Sequence, residues 1–190
     1  HGTRRGRNSQ NHLKNRKIIG QQMKFICDAM LGKLAKYLRI LGFDAEYTKD
    51  SKILEHYKGK TDAPYFLTRT IKKGGYERTI VILSDKAREQ LHEIRGLIHP
   101  FVDSAKVMNR CIECNIDLMG VQKKHIEQKV PEFVYHQYEQ FKECPRCRKV
   151  YWEGTHTAGM TELIREIMEH ADMKAEKTVQ AEKMQKVKKV

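Results

Sequence analysis

Lys24-Phe25-Ile26-Cys27-Asp28-Ala29-Met30-Leu31-Gly32-Lys33-Leu34-Ala35-Lys36-Tyr37-Leu38-Arg39-Ile40-Leu41-Gly42-Phe43-Asp44 is the stretch that decides the fold. Lys24 to Cys27 is a short, mostly apolar run suited to a buried strand. After Asp28, the residues Leu31, Leu34, Ala35, Leu38 and Leu41 recur at helical spacing, while Lys33, Lys36 and Arg39 mark the other face. Gly42 is a stop signal, and Phe43 to Tyr47 reads as a second strand.

The alternation continues downstream. Asp50 to Tyr57 reads as a second helix with Asp50 or Ser51 at its N-cap, Tyr65 to Thr68 as a third strand, and Thr79 to Leu83 as a fourth. Ser84-Asp85 then caps a helix running to about Arg95. The fold class predicted for residues 23–105 is therefore α/β, a parallel sheet with flanking helices on both faces. Residues 106–156 change texture, with two cysteine pairs and short strand-like pieces such as Val130 to Tyr135. Residues 157–190 return to a helix, with Met160, Leu163, Ile164, Ile167, Met168 and Ala171 on one face, and end in a Lys-rich tail.

Four of the five cysteines form Cys111-x2-Cys114 and Cys144-x2-Cys147, 29 residues apart. Two such pairs let four thiolates converge tetrahedrally on zinc, and a closed four-thiolate site leaves no open position for chemistry. Arg146, Arg148 and Lys149 would form a positive rim that lowers the thiolate pKa values. Disulfides are disfavoured because no secretory signal marks the chain, which places it in a reducing, intracellular compartment, cytoplasm and mitochondrial matrix both remaining open. His125 and His136 read as surface or packing residues, and Cys27 as a buried core thiol.

Functional groups of a parallel sheet gather at the carboxyl ends of its strands. Those ends carry Asp28, then Asp44, Glu46 and Asp50, then Thr70 and Asp85. Acids gathered there would bind Mg²⁺ or Mn²⁺ for phosphodiester hydrolysis. The rival reading, favoured by spacing alone, is that Asp28, Asp50 and Asp85 only cap helices.

The stretch from Phe25 to Asp44 resembles the opening of the RNase domain at the C-terminus of the Mut-seven exonuclease family. Phe66-Leu67-Thr68-Arg69 resembles that family's next signature, and the two cysteine pairs with Val150-Tyr151-Trp152-Glu153-Gly154-Thr155-His156 resemble its ending. The resemblance implies a PIN-like nuclease fold joined to a zinc ribbon, cutting RNA with metal held by acids. Asp28 then matches the first acid, Asp50 stands about where the family carries its second, and Asp85 matches an acid after the fourth strand. One departure matters: where the family reads Leu-Thr-Arg-Asp, this chain has Leu67-Thr68-Arg69-Thr70. A hydroxyl does not replace a carboxylate beside a divalent cation, so Thr70 puts catalysis in question, with Glu77 or Asp62 as conceivable substitutes.

The whole chain has 190 residues and a net charge of +13, with 37 Lys plus Arg against 24 Asp plus Glu. No apolar run approaches the ~18 residues of a membrane-spanning helix, which excludes an integral membrane protein, and such a charge calls for a polyanionic partner, nucleic acid first and an acidic membrane surface second. Residues 1–22 carry Arg4, Arg5, Arg7, Lys14, Arg16 and Lys17 without a single acid. They read as a basic flexible arm along phosphates, as a solubilising or expression remnant, or as a trimmed targeting segment; the chain begins with His, as a fragment or processed form would. Further phosphate contacts are expected from Lys33, Lys36, Arg69, Arg146, Arg148 and Lys149.

Three functions compete. One is a metal-dependent endoribonuclease working through Asp28, Asp50 and Asp85. The second is a non-catalytic RNA-binding subunit of a ribonucleoprotein complex, such as a ribosome or its assembly intermediate. A protein-interaction module using the helix from Thr161 is the weakest, because it leaves the charge unexplained. Tyr151 and Trp152 are expected to pack the ribbon against the first domain, with stacking on unpaired bases as the alternative, and His156 to close a turn or touch phosphate.

Overall fold

Four parallel strands form the first sheet: β1 (Lys24–Cys27), β2 (Asp44–Tyr47), β3 (Tyr65–Thr68) and β4 (Thr79–Val81), in the order β2-β1-β3-β4. The computed structural model describes residues 23–73, 75–152 and 161–167. Helix α1 (Gly32–Ile40) makes the crossover between β1 and β2, and α2 (Ala87–Glu93) and α3 (Arg95–Ile98) follow β4. Leu31, Leu34, Ala35, Leu38 and Leu41 are all buried, as their spacing predicts. Ile26 and Phe66, paired across β1 and β3, share a core with Leu54, Ala63 and Tyr76 on one face of the sheet. Phe25 and Cys27 alternate to the other face, which α1 covers. The expected α/β class, with helices flanking a parallel sheet, is what the chain adopts.

Gly42 has φ +90°, and a Cβ there would stand 2.8 Å from Lys106 Cβ and from the Lys106 carbonyl oxygen. Only glycine both takes that conformation and lets the two segments meet so closely. Asp50 caps the next helix as expected, its carboxylate accepting from the Lys52 amide, but Ser51–Tyr57 is 3-10 helical rather than α-helical. The fourth strand stops at Val81, two residues short of the expected end.

A second sheet, antiparallel, comprises β5 (Met119–Val121), β6 (Phe141–Glu143) and β7 (Val150–Trp152). Val130 to Tyr135, expected to be strand-like, instead leads into helix α4 (Glu132–Gln137), entered through Pro131. Val134 of α4 packs with Ile126 and Phe141, and Val150 and Trp152 pad this small core. The long gap between the cysteine pairs is thus filled by a helix with its own apolar cluster.

The chain divides into two units between residues 153 and 154, and both sheets belong to the first. Within the second, residues 161–167 are helical. Met160, Met168, Ala171, the Lys-rich tail, His156 and the basic arm all lie outside the described residues. No helix among the described residues is long and apolar enough to cross a membrane.

Candidate metal centre and sheet-edge site

Each cysteine pair builds the same loop from backbone geometry. The carbonyl of Cys111 accepts from the Asn115 amide at 3.0 Å, and that of Cys144 from the Arg148 amide at 2.9 Å. Asn115 (φ 58°) and Arg148 (φ 62°) are both left-handed, which turns each chain back on itself. The amide of Cys114 donates to Cys111 Sγ at 3.3 Å, and that of Cys147 to Cys144 Sγ at 3.5 Å. The four sulfurs consequently lie within 4.8 Å of one another, an arrangement that fits a thiolate-bound metal such as zinc. No other group of three or more His, Cys, Asp or Glu residues among the described residues is placed to hold a metal.

Burial alone would raise the Cys111 thiol, but the Tyr151 hydroxyl, 3.1 Å away, and the Cys114 amide help bring it down to about 7. Hydrogen bonds therefore carry this shift, rather than the rim of basic charges that spacing suggests. Arg148 is instead paired with Glu143 at 2.8 Å, while Arg146 and Lys149 are exposed. Tyr151 packs with Cys111 and Cys144, and Trp152 with Phe141 and Val134.

The first cysteine loop is fastened to the parallel sheet through its edge strand. Arg39, assigned by periodicity to the polar face of α1, is buried instead. Its Nε donates to the Ala45 carbonyl at 2.8 Å, and its Nη1 to the carbonyls of Ile112 and Glu113 at 2.7 and 3.1 Å. Asn115 completes the join: its Oδ1 accepts from the Ala45 amide and its Nδ2 donates to Asp44 Oδ1. Both backbone groups of Ala45 on the otherwise open edge of β2 are thereby satisfied. Burial lowers the Arg39 pKa, opposed by the nearby Cys27, Glu113, Cys111 and Asp44. Lys36 adds an ion pair with Glu113 at 2.8 Å.

At the carboxyl edge of the parallel sheet the strand order reverses between β1 and β3, and Asp28 sits at that point. It is 3% exposed. Its Oδ1 accepts from the Ala29 amide at 2.8 Å and its Oδ2 from the Thr68 hydroxyl at 2.8 Å, so it does not cap α1, whose N-cap is Leu31. The Thr68 hydroxyl in turn accepts from the Thr70 amide at 3.1 Å. Asp85 does not cap α2 either; it is exposed and pairs with Arg69 Nη2 at 2.5 Å. Arg69 Nε is buried without a hydrogen-bond partner among the described residues.

Periodicity gave no sign of Glu93, which looks like a solvent-facing residue of α2. It reaches back to accept from the amides of Leu83 at 2.9 Å and Ser84 at 2.6 Å. Burial opposes its charge, but the Ser84 hydroxyl, these two amides and Arg69 hold its carboxyl below the usual value. Thr68, the hydroxyl that orients Asp28, was equally invisible as a site residue; its place beside Thr70 in the signature was the one available signal.

Asp28, Asp50 and Asp85 share one edge but do not meet closely enough to form a ready cage for Mg²⁺ or Mn²⁺. Asp62 and Glu77 offer no replacement for the missing acid. Asp62 lines a cavity with Met23, Lys24, Tyr65 and Arg78, at the amino ends of β1 and β3, and Glu77 precedes β4. Of the bases expected near phosphate, Lys36 and Arg69 are engaged by Glu113 and Asp85, and Lys33 is exposed.

The model of the Mut7-C RNAse domain matches residues 23–164. The chain belongs to the Mut7-C RNAse domain family. No curated protein and no solved structure gave a match. Family membership gives the chain a nuclease-type, RNA-related character, and the four-cysteine cluster fits a zinc-binding module within it.

Proposed function

We propose that the chain binds RNA at the carboxyl edge of its parallel sheet, with Asp28 as the acid about which phosphodiester hydrolysis is organised. The observation that carries this reading is the placement of a buried carboxylate at the strand-order reversal of an RNase-type sheet, oriented by Thr68. Asp50 and Asp85 are proposed as outer acids on the same edge. Lys33, Arg146 and Lys149, all exposed, are proposed to meet phosphates. Mg²⁺ or Mn²⁺, when bound, would supply an activated water and stabilise the leaving oxygen. The residues present would hold such an ion weakly, and the RNA phosphates would have to complete its shell.

The test is incubation of unpaired and stem-loop RNA with Mn²⁺, comparing the wild type with Asp28→Asn. Fragments from the wild type alone are expected. Cleavage that survives the substitution would remove Asp28 from the reaction.

Thr70 favours a second reading, in which the chain holds RNA within a ribonucleoprotein complex and does not cut it. Retained RNA binding without cleavage by either protein is the outcome that selects it.

A further inference from the structure

Large apolar side chains left in water are informative when they gather, because isolated ones are ordinary. Among the described residues, the exposed large apolar groups are Met30, Tyr47, Ile71, Leu83, Met119 and Phe133. The first four follow or end the four strands of the parallel sheet, one per strand. Tyr47 ends β2, Met30 follows β1, Ile71 follows β3 and Leu83 follows β4. In the spatial order β2-β1-β3-β4 they fall in turn at the carboxyl ends of the strands, the edge that also carries Asp28 and Thr68. Ile71 and Leu83 are three-quarters exposed, at 76% and 75%, far beyond what a folding role would leave open. Tyr47 is fixed: its hydroxyl donates to the Ala29 carbonyl at 2.9 Å, and its ring lies over Gly32, where an added Cβ would be 3.4 Å away.

The same loops carry exposed cations. Lys33 opens α1, Lys49 and Lys52 follow β2, and Lys72 follows Ile71. Apolar groups interleaved with lysines suit a ligand that alternates apolar faces with negative charges. An unpaired RNA strand does so, whereas a duplex hides its base faces in its own stack. Strands about 4.8 Å apart make that edge about 14 Å long, room for about four stacked bases at ~3.4 Å each.

We infer that the carboxyl edge of the parallel sheet selects unpaired RNA, with Met30, Tyr47, Ile71 and Leu83 contacting bases while Lys33, Lys49 and Lys72 meet phosphates. This rests on the proposed RNA reading and adds to it the form of RNA and the residues that read it.

The experiment measures fluorescence anisotropy of full-length Asp28→Asn protein with a labelled 12-nucleotide RNA, single-stranded or annealed, so that cleavage does not consume the probe. Single-stranded RNA should bind at least about tenfold tighter than the duplex. Adding Ile71→Ala and Leu83→Ala should weaken single-strand binding about three- to tenfold each and leave the salt dependence unchanged, because neither side chain carries charge. Lys49→Gln with Lys72→Gln should instead lower the slope of log affinity against log salt by up to about 1.4. Equal affinity for duplex and single strand, or alanine variants that bind like their parent, would overturn the inference. So would alanine variants that only abolish self-association, which would assign the edge to a second copy of the chain. Absence of binding to either RNA would defeat the RNA reading itself, so the two failures are distinguishable.

Discussion

Arg39 shows how far a single residue can depart from its pattern. Its position on α1 reads as polar surface, yet it supplies a buried fork to three carbonyls on β2 and the first cysteine loop. Helical periodicity registers only which face a residue is on; it contains nothing about a loop arriving from 73 residues downstream. Asp28 misled in the same way, since a carboxylate at the start of a helix looks like a cap until Thr68 is seen to hold it. Arg39→Met should remove three donated hydrogen bonds and leave the carbonyls of Ala45, Ile112 and Glu113 without their partner. The expected cost is about 2–3 kcal/mol, read as a lower urea midpoint with an unchanged slope. Arg39→Lys should recover less than half of it, because an ammonium does not reproduce the planar fork.

At the scale of elements, the strands, α1 and the cysteine loops were legible because their signals are local: apolar runs, helical spacing, and pairs of Cys two residues apart. The insert between the loops was less so. Val130 to Tyr135 has the composition of a strand, but Pro131 lacks an amide donor and opens α4, which the Ile126–Phe141 cluster then holds in place. The contacts of Asn115 and Arg39 make the first cysteine loop the cover of the β2 edge, which neither segment announces alone. Stripping the metal with a chelator under reducing conditions should therefore act beyond the cysteine loops. Amide exchange should quicken at Asn115 and Arg148 first, and then at Ala45 on β2, while Phe66 and Leu67 in the centre of the sheet stay protected. Unchanged exchange at Ala45 would show that the edge is covered whether or not metal is bound.

For the molecule as a whole, the distribution of charge matters more than its sum. Residues 1–22 carry six of the excess positive charges and no acid. In residues 23–152 several bases are spent internally: Lys36 on Glu113, Arg69 on Asp85, Arg110 on Asp117, Lys123 on Glu139 and Arg148 on Glu143. A base held in an ion pair releases fewer counterions from RNA than a free one, so the body should contribute less to phosphate binding than its composition implies. The arm should then dominate the salt dependence while the sheet edge sets which RNA is preferred. Each phosphate neutralised on a single strand contributes about 0.7 to the slope of log affinity against log salt. If all six arm charges engage phosphates, deleting residues 1–22 should reduce that slope by up to about 4 and leave the preference for unpaired over paired RNA in place. Titrations at four salt concentrations with the full chain and the truncated one measure both quantities. A slope unchanged by the truncation would assign RNA affinity to the body, and a lost preference for unpaired RNA would move selectivity from the sheet edge to the arm.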